Sequence, residues 1–360
     1  NSQSLTLAKK LWMNDILPKF EKIFEDTNLK IEVVNVLESI YGIIDYFGKN
    51  LFFDNNSMER IFKMVKTLLE FKATCQIKND EDDLEEDEID HDAEILDHVC
   101  DIFMITAEKL ENDFHPILAS FMEILKKYLS VNRSLGDRAT FFGCLADVFT
   151  HCKITPKFYF EFLLKSITEN TKKNLKTKDD ELFRNMAFLI GVMYEADPQE
   201  FKDFFNAAMN QLMIIYENSG KMGKENVLAA LCRITYSLKL DFSDATKEIL
   251  TKIVESVLSN CPLVGDYHEN LTIFNFIEYI YNKLDDSAYD KYWTKIFDLL
   301  KYMVLNKNKM NLKCENLKRV KTLLEIFDKN SPKIKGLLDA SMNGMTSEEK
   351  GNFIATINNA

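Results

Sequence analysis

Three prolines, Pro116, Pro156 and Pro198, stand 40 and 42 residues apart, each just inside the start of an apolar helical stretch. Proline suits a first helical turn, where the missing N–H has no partner to lose and the fixed φ is already helical. One such proline is ordinary. Three at a near-constant interval mark a repeated unit of about 40 residues built from two helices. Such units bury their apolar faces against their neighbours, so the chain grows by stacking.

Glycine and proline number only 11 and 6 in 360 residues, too few for the turns of a large β or α/β protein. Apolar periodicity agrees. Ile95, Val99, Ile102, Phe103, Ala107 and Leu110 keep helical spacing, and after Asn112-Asp113 so do Ile117, Phe121, Ile124, Leu125 and Tyr128. Further pairs are read at 137–152 with 156–169, 179–195 with 198–216, 223–238 with 243–259, and 267–284 with 289–305. Residues 312–327 open a last unit, and 29–47 with 58–71 form one upstream. Asn218-Ser219-Gly220 reads as a helix C-cap, Asp241-Phe242-Ser243-Asp244 as N-capping oxygens, and Asp197 as a cap before Pro198. The expected fold is an all-α HEAT-repeat α-solenoid of about eight helix pairs. Its expected organisation is HEAT repeats over 1–78 with the first one truncated, an acidic flexible insert over 79–93, HEAT repeats over 94–329 and a C-terminal helical cap over 330–360.

The net charge is -12, and the run from Asp80 to Glu94 carries eleven acidic and no basic residues. The rest of the chain is therefore close to neutral. Charge packed so densely stays solvated and attracts basic partners. Asp80, Glu81, Asp82, Asp83, Glu85, Glu86, Asp87, Glu88, Asp90 and Asp92 are the candidate cargo-binding residues, the alternative being a passive solubilising loop. No Gly lies between Gly48 and Gly136, so an EF-hand calcium loop is excluded there.

The stretch 301–335 holds ten Lys or Arg against three acids, with Tyr302 and Phe327 as its only aromatics. It reads as a solvated face rather than a direct nucleic-acid site. The seven cysteines show no zinc spacing, and the opening NSQSLTLAKK has no signal-peptide pattern. No stretch has the length and apolarity of a membrane span. His151 and Cys152 are neighbours in sequence, which is not a nucleophile–base geometry. No catalytic residue, metal site or cofactor is expected, and the chain is expected not to be an enzyme.

Three helical words and one turn carry a family resemblance. Asp137-Arg138-Ala-Thr-Phe-Phe-Gly143-Cys-Leu-Ala146-Asp147, Arg184-Asn185-Met-Ala187-Phe188-Leu-Ile-Gly191-Val192 and Glu225-Asn226-Val-Leu-Ala229-Ala230-Leu-Cys-Arg233-Ile234 resemble successive helices of importin-β-type nuclear transport receptors. Pro262-Leu-Val-Gly-Asp266-Tyr-His-Glu269 resembles the turn before the next helix, and Met345 to Lys350 is similar to the family's C-terminal cap. Order and spacing resemble the C-terminal half of the subgroup that imports histones and ribosomal proteins. Ala139 departs from the family's usual Ser.

The resemblance implies a right-handed superhelix that binds basic cargo such as histones and ribosomal proteins on its concave face. It also implies Phe-Gly nucleoporins as partners, shuttling between cytoplasm and nucleus, and Ran-GTP acting through N-terminal repeats missing here. A monomer without membrane contact is expected. In this reading Asp137, Arg138, Arg184, Asn185, Asn226 and Arg233 form a polar ladder between repeats, and Gly143, Gly191 and Ala229 let helices approach. A HEAT scaffold outside transport, such as a phosphatase regulatory or chromatin-associated subunit, fits the composition and periodicity equally well.

Overall fold

The computed structural model describes residues 2–52, 55–77, 91–153, 157–177, 179–240, 243, 246–281, 283, 292–330 and 332–359. The chain divides into two compact units, Asn1–Thr177 with Glu181–Asp197, and Lys178–Asp180 with Pro198–Ala360. Both are HEAT-type α-solenoid stacks, and no strand occurs among the described residues. No helix among those residues is long and apolar enough to cross a membrane.

In unit one, α1 (Ser2–Leu11) runs through a π-helical turn, Trp12–Ile16, into α2 (Leu17–Asp26). The wide turn places Trp12 in the core, where its Nε1 donates to Ser57 Oγ at 3.2 Å. Then come α3 (Lys30–Phe47), α4 (Asn55–Leu69), α5 (His91–Leu110), α6 (His115–Ser120), α7 (Met122–Tyr128), α8 (Leu135–His151), α9 (Lys157–Asn174) and α10 (Asp180–Ala196). Helix α5 packs against both α3 and α8. Flanked on both sides, it buries Ile95, Leu96, Val99, Cys100, Ile102, Phe103 and Ile105 over more than one face. Phe62, Phe103 and Phe121 meet edge-on at 5.0 to 5.8 Å between centroids, the geometry that aromatic quadrupoles favour.

The repeat length is written in the hydrogen bonds. Thr140 to Asp97 spans 43 residues, the Cys144 thiol to the Cys100 carbonyl 44, and Asn170 to the Leu129 carbonyl 41. In unit two, Tyr279 to the Leu240 carbonyl spans 39 and Arg319 to Asn275 spans 44. Around the acidic segment the corresponding ion pairs, Lys30–Asp92 and Lys109–Asp45, span 62 and 64. The extra length is absorbed between α4 and α5 while α3 still packs on α5.

Pro116 does stand in the first turn of α6 and Pro198 opens a helix, but both helices are interrupted soon after. The stretch expected as one helix through Tyr128 breaks at Phe121, with φ -98 and ψ -2. The Pro198–Phe201 turn passes through a 3-10 segment, Lys202–Phe204, before the main helix begins. Both breaks drive a phenylalanine, Phe121 or Phe201, fully into the core. Pro156 lies outside the described residues.

Unit two holds that turn and α11 (Phe205–Asn218), α12 (Lys221–Ser237), α13 (Lys247–Asn260), α14 (Asn270–Tyr281), α15 (Trp293–Leu305), α16 (Cys314–Asn330), α17 (Pro332–Asn343) and α18 (Ser347–Asn358). Helix α12 contacts α11, α13 and α14 and is buried at nearly every position from Glu225 to Thr235. Helices α17 and α18 pack on α15. A capping box between Thr346 and Glu349 starts α18, and Phe353 anchors it. Gly220, expected to close α11, instead starts α12 with φ -74 and ψ -161. A side chain there would meet the Asp180 carboxylate at 2.9 Å, so the glycine serves close approach rather than left-handed backbone. Of the expected caps at 241–244, only Ser243 is described; its carbonyl accepts the Lys247 N–H at 2.8 Å.

Candidate binding surface

The resembling words touch one another. In unit one, Asn185 Nδ2 donates to the Ala139 carbonyl at 2.9 Å, crossing from α10 to α8. A side chain on Gly143 would stand 3.0 Å from the same Asn185 nitrogen, so glycine there permits this approach. In unit two, Asn226 Nδ2 donates to Asp266 at 2.9 Å, and Arg233 pairs with Glu269, its Nη2 donating to Oε1 at 3.0 Å while Nη1 lies 2.7 Å from Oε2. Charges buried this deeply persist only when paired.

The remaining predicted polar residues act locally. Asp137, in the first turn of α8, pairs with Arg133 just before the helix at 3.1 Å, and its N–H is capped by Ser134. Arg138 is buried and donates to Asn170 at 2.6 Å, within its helix pair. The Arg184 Nε donates to Asn185 Oδ1 at 3.3 Å. Asn170 and Glu225 were not anticipated. Asn170 carries the Arg138 contact on to the Leu129 carbonyl, and the Glu225 carboxylate accepts the N–H groups of Val264, Gly265 and Asp266. Glu225 opens the third word, so its position was visible although its partners were not.

One face of unit one is lined with carboxylates. Asp97, Asp101 and Glu108 lie along α5, Asp45 on α3 and Asp147 on α8. Burial beside neighbouring acids raises Asp97 and Asp101 above ordinary carboxylate values. Burial pushes Asp147 from 3.8 up to about 6, with Arg184 opposing and Asp101 adding to the rise. On α3, burial and then Asp45, Asp101 and Glu108 raise the Tyr41 hydroxyl. Lys109 also lies on this face, held by Asp45 and Glu108 at 3.0 Å each. His98 opposes the rise at both Asp97 and Asp101 and approaches the Asp101 carboxylate at 3.8 Å, while Thr140 donates to Asp97 at 3.4 Å. Such a surface suits a cationic ligand: an incoming Lys or Arg would offset the mutual repulsion of these carboxylates. The i, i+4 spacing of Asp97 and Asp101 was the sequence signal, but it matches any solvated helix face.

The acidic run at 80–90 lies outside the described residues; Asp92, at its end, pairs with Lys30 at 2.8 Å. Among the described residues, no group of three or more His, Cys, Asp or Glu is placed to hold a metal ion. Burial pushes the Cys152 thiol to about 12 and lowers His151, so this neighbouring pair supplies no thiolate.

No family model matches the chain. The chain is similar to "Importin-4" of Mus musculus, 20% identical over 277 residues. The match covers 76% of the chain and spans 25% of that protein's length.

Proposed function

We propose that the chain is a HEAT segment of a nuclear import receptor that binds basic protein cargo, histones or ribosomal proteins, and takes part in Ran-regulated transport between cytoplasm and nucleus. The observation that carries this reading is the row of carboxylates on α5 and α8, in a chain similar to an importin. Basic segments lie across that row, and the acidic run at 80–92 raises their local concentration by long-range attraction. Release follows from differential binding: cargo favours one arrangement of the stacked helices and Ran-GTP another. In this reading the Ran contacts belong to other repeats of the receptor. Phe-Gly nucleoporins bind grooves between helices.

Titration of the chain with a labelled histone-tail peptide, a Phe-Gly peptide and Ran-GTP tests the reading. Saturable binding of both peptides with no Ran-GTP response is expected. Failure of the basic peptide to bind even at low salt contradicts it.

A further inference from the structure

Unit two carries a second charged surface of opposite sign. The loops joining α11 to α12, α13 to α14 and α15 to α16 emerge at the same end of their helices. Glu225, early in α12 after the first of these loops, accepts three successive N–H groups of the second, at 264–266. The second and third meet where Lys309 Nζ sits 4.1 Å from the Tyr267 ring centre. The fold brings this aromatic to the basic stretch 301–335 from 42 residues upstream of Lys309.

Beside this contact lies an open cavity of about 500 Å³. Tyr216, Leu228, Pro262 and Val264 give it apolar walls, and Lys221 and Lys224 stand at its rim. Val264 is 51% exposed, an unusual position for a valine among charged neighbours. No carboxylate pairs with Lys221, Lys224 or Lys309 among the described residues, and all three are exposed.

We propose that this edge of unit two binds an acidic peptide segment, seating one apolar side chain in the cavity against Val264 while flanking carboxylates pair with Lys221, Lys224 and Lys309. Charge complementarity sets the sign of the ligand. The aromatic contacts set its class. Lys224 lies 5.6 Å from the Tyr216 ring centre, and the Tyr267 ring is engaged by both Lys309 and His268. Single-stranded nucleic acid is held by stacking bases on open aromatic faces, and here those rings are occupied by the chain's own groups. The same contacts hold the lysines in place for carboxylates.

The test is fluorescence anisotropy of the full chain with a labelled Glu-rich peptide bearing one central Leu. The same peptide with Ser for Leu and an oligouridine serve as comparisons. Saturable binding of the Leu peptide is expected, weaker for the Ser peptide, and about tenfold weaker for K221E/K224E and for K309E, each checked for unchanged circular dichroism. Binding that is absent, or indifferent to these substitutions, overturns the proposal. Tighter binding of oligouridine with the same losses also overturns it, making the surface a nucleic-acid site. None of these residues lies on the carboxylate face, so loss here leaves histone-tail binding intact.

Discussion

Arg233 and Glu269, 36 residues apart in sequence, close an ion pair in which each side chain is only 8% exposed. It joins the inner part of α12 to the short turn that starts α14. Removing one partner strands a buried charge, whereas removing both leaves an apolar space that can repack. Glu269→Gln is expected to destabilise unit two by about 3 kcal/mol in urea unfolding. The double change Arg233→Met with Glu269→Leu is expected to cost much less. Equal losses for single and double variants would show that the pair itself, not the stranded charge, sets the effect.

Gly223 shows how tightly two repeats close on each other. A methyl group there would lie 2.6 Å from Asp180 Oδ1 and 2.5 Å from Ser219 Cβ, and its N–H donates to the same Asp180 oxygen at 3.0 Å. Gly223→Ala is expected to destabilise by about 1–3 kcal/mol through overpacking. Gly136, in α8 with nothing within 4 Å of an added methyl, is the comparison. Gly136→Ala is expected to be neutral or to stabilise by up to about 1 kcal/mol. Thermal unfolding of the two variants side by side decides the matter; a similar response from both would contradict the packing account.

Asp147 gives the fold a pH dependence of known sign. Its folded-state pKa, about 6, lies above the ordinary 3.8, so the folded chain holds this proton more tightly than the unfolded chain. Relative stability is therefore gained as pH falls through 6 toward 4 and lost as pH rises through the same window. Asp147→Asn removes the ionisable group. It is expected to stabilise unit one by up to about 3 kcal/mol at pH 7.5 and by little at pH 4. A gain of equal size at both values would assign the effect to shape rather than charge.

The fold was legible because its determinants are local and periodic. The spacing of Pro116, Pro156 and Pro198 states the length of the unit, and the apolar stripe through Val99 and Phe103 and the scarcity of glycine state that it is helical. Helix interruptions were not legible. The break at Phe121 depends on the ring cluster formed with Phe62 and Phe103, which no local pattern announces. The same division holds for surfaces. The words at 184–191, 225–234 and 262–269 were visible, and their contacts show why such residues recur at repeat spacing: each reaches a neighbour about 40 residues away. The carboxylate row was hidden because Asp97 and Asp101 look like any solvated helix face until Asp147 and Asp45 are brought beside them. Tyr267 on Lys309 was hidden for a similar reason, since its two halves lie on different loops.

The most direct test of the central claim, that carboxylates of α5 and α8 hold a basic protein segment, is the salt dependence of histone-tail binding by the chain and by Asp97→Lys/Asp101→Lys. Both positions are partly exposed, so the substitution leaves the core intact. The native chain is expected to bind the peptide with an affinity that falls steeply as salt rises, and the variant to bind at least about tenfold more weakly at low salt with a flatter slope. An affinity and a salt slope unchanged by the two charge reversals would contradict the account.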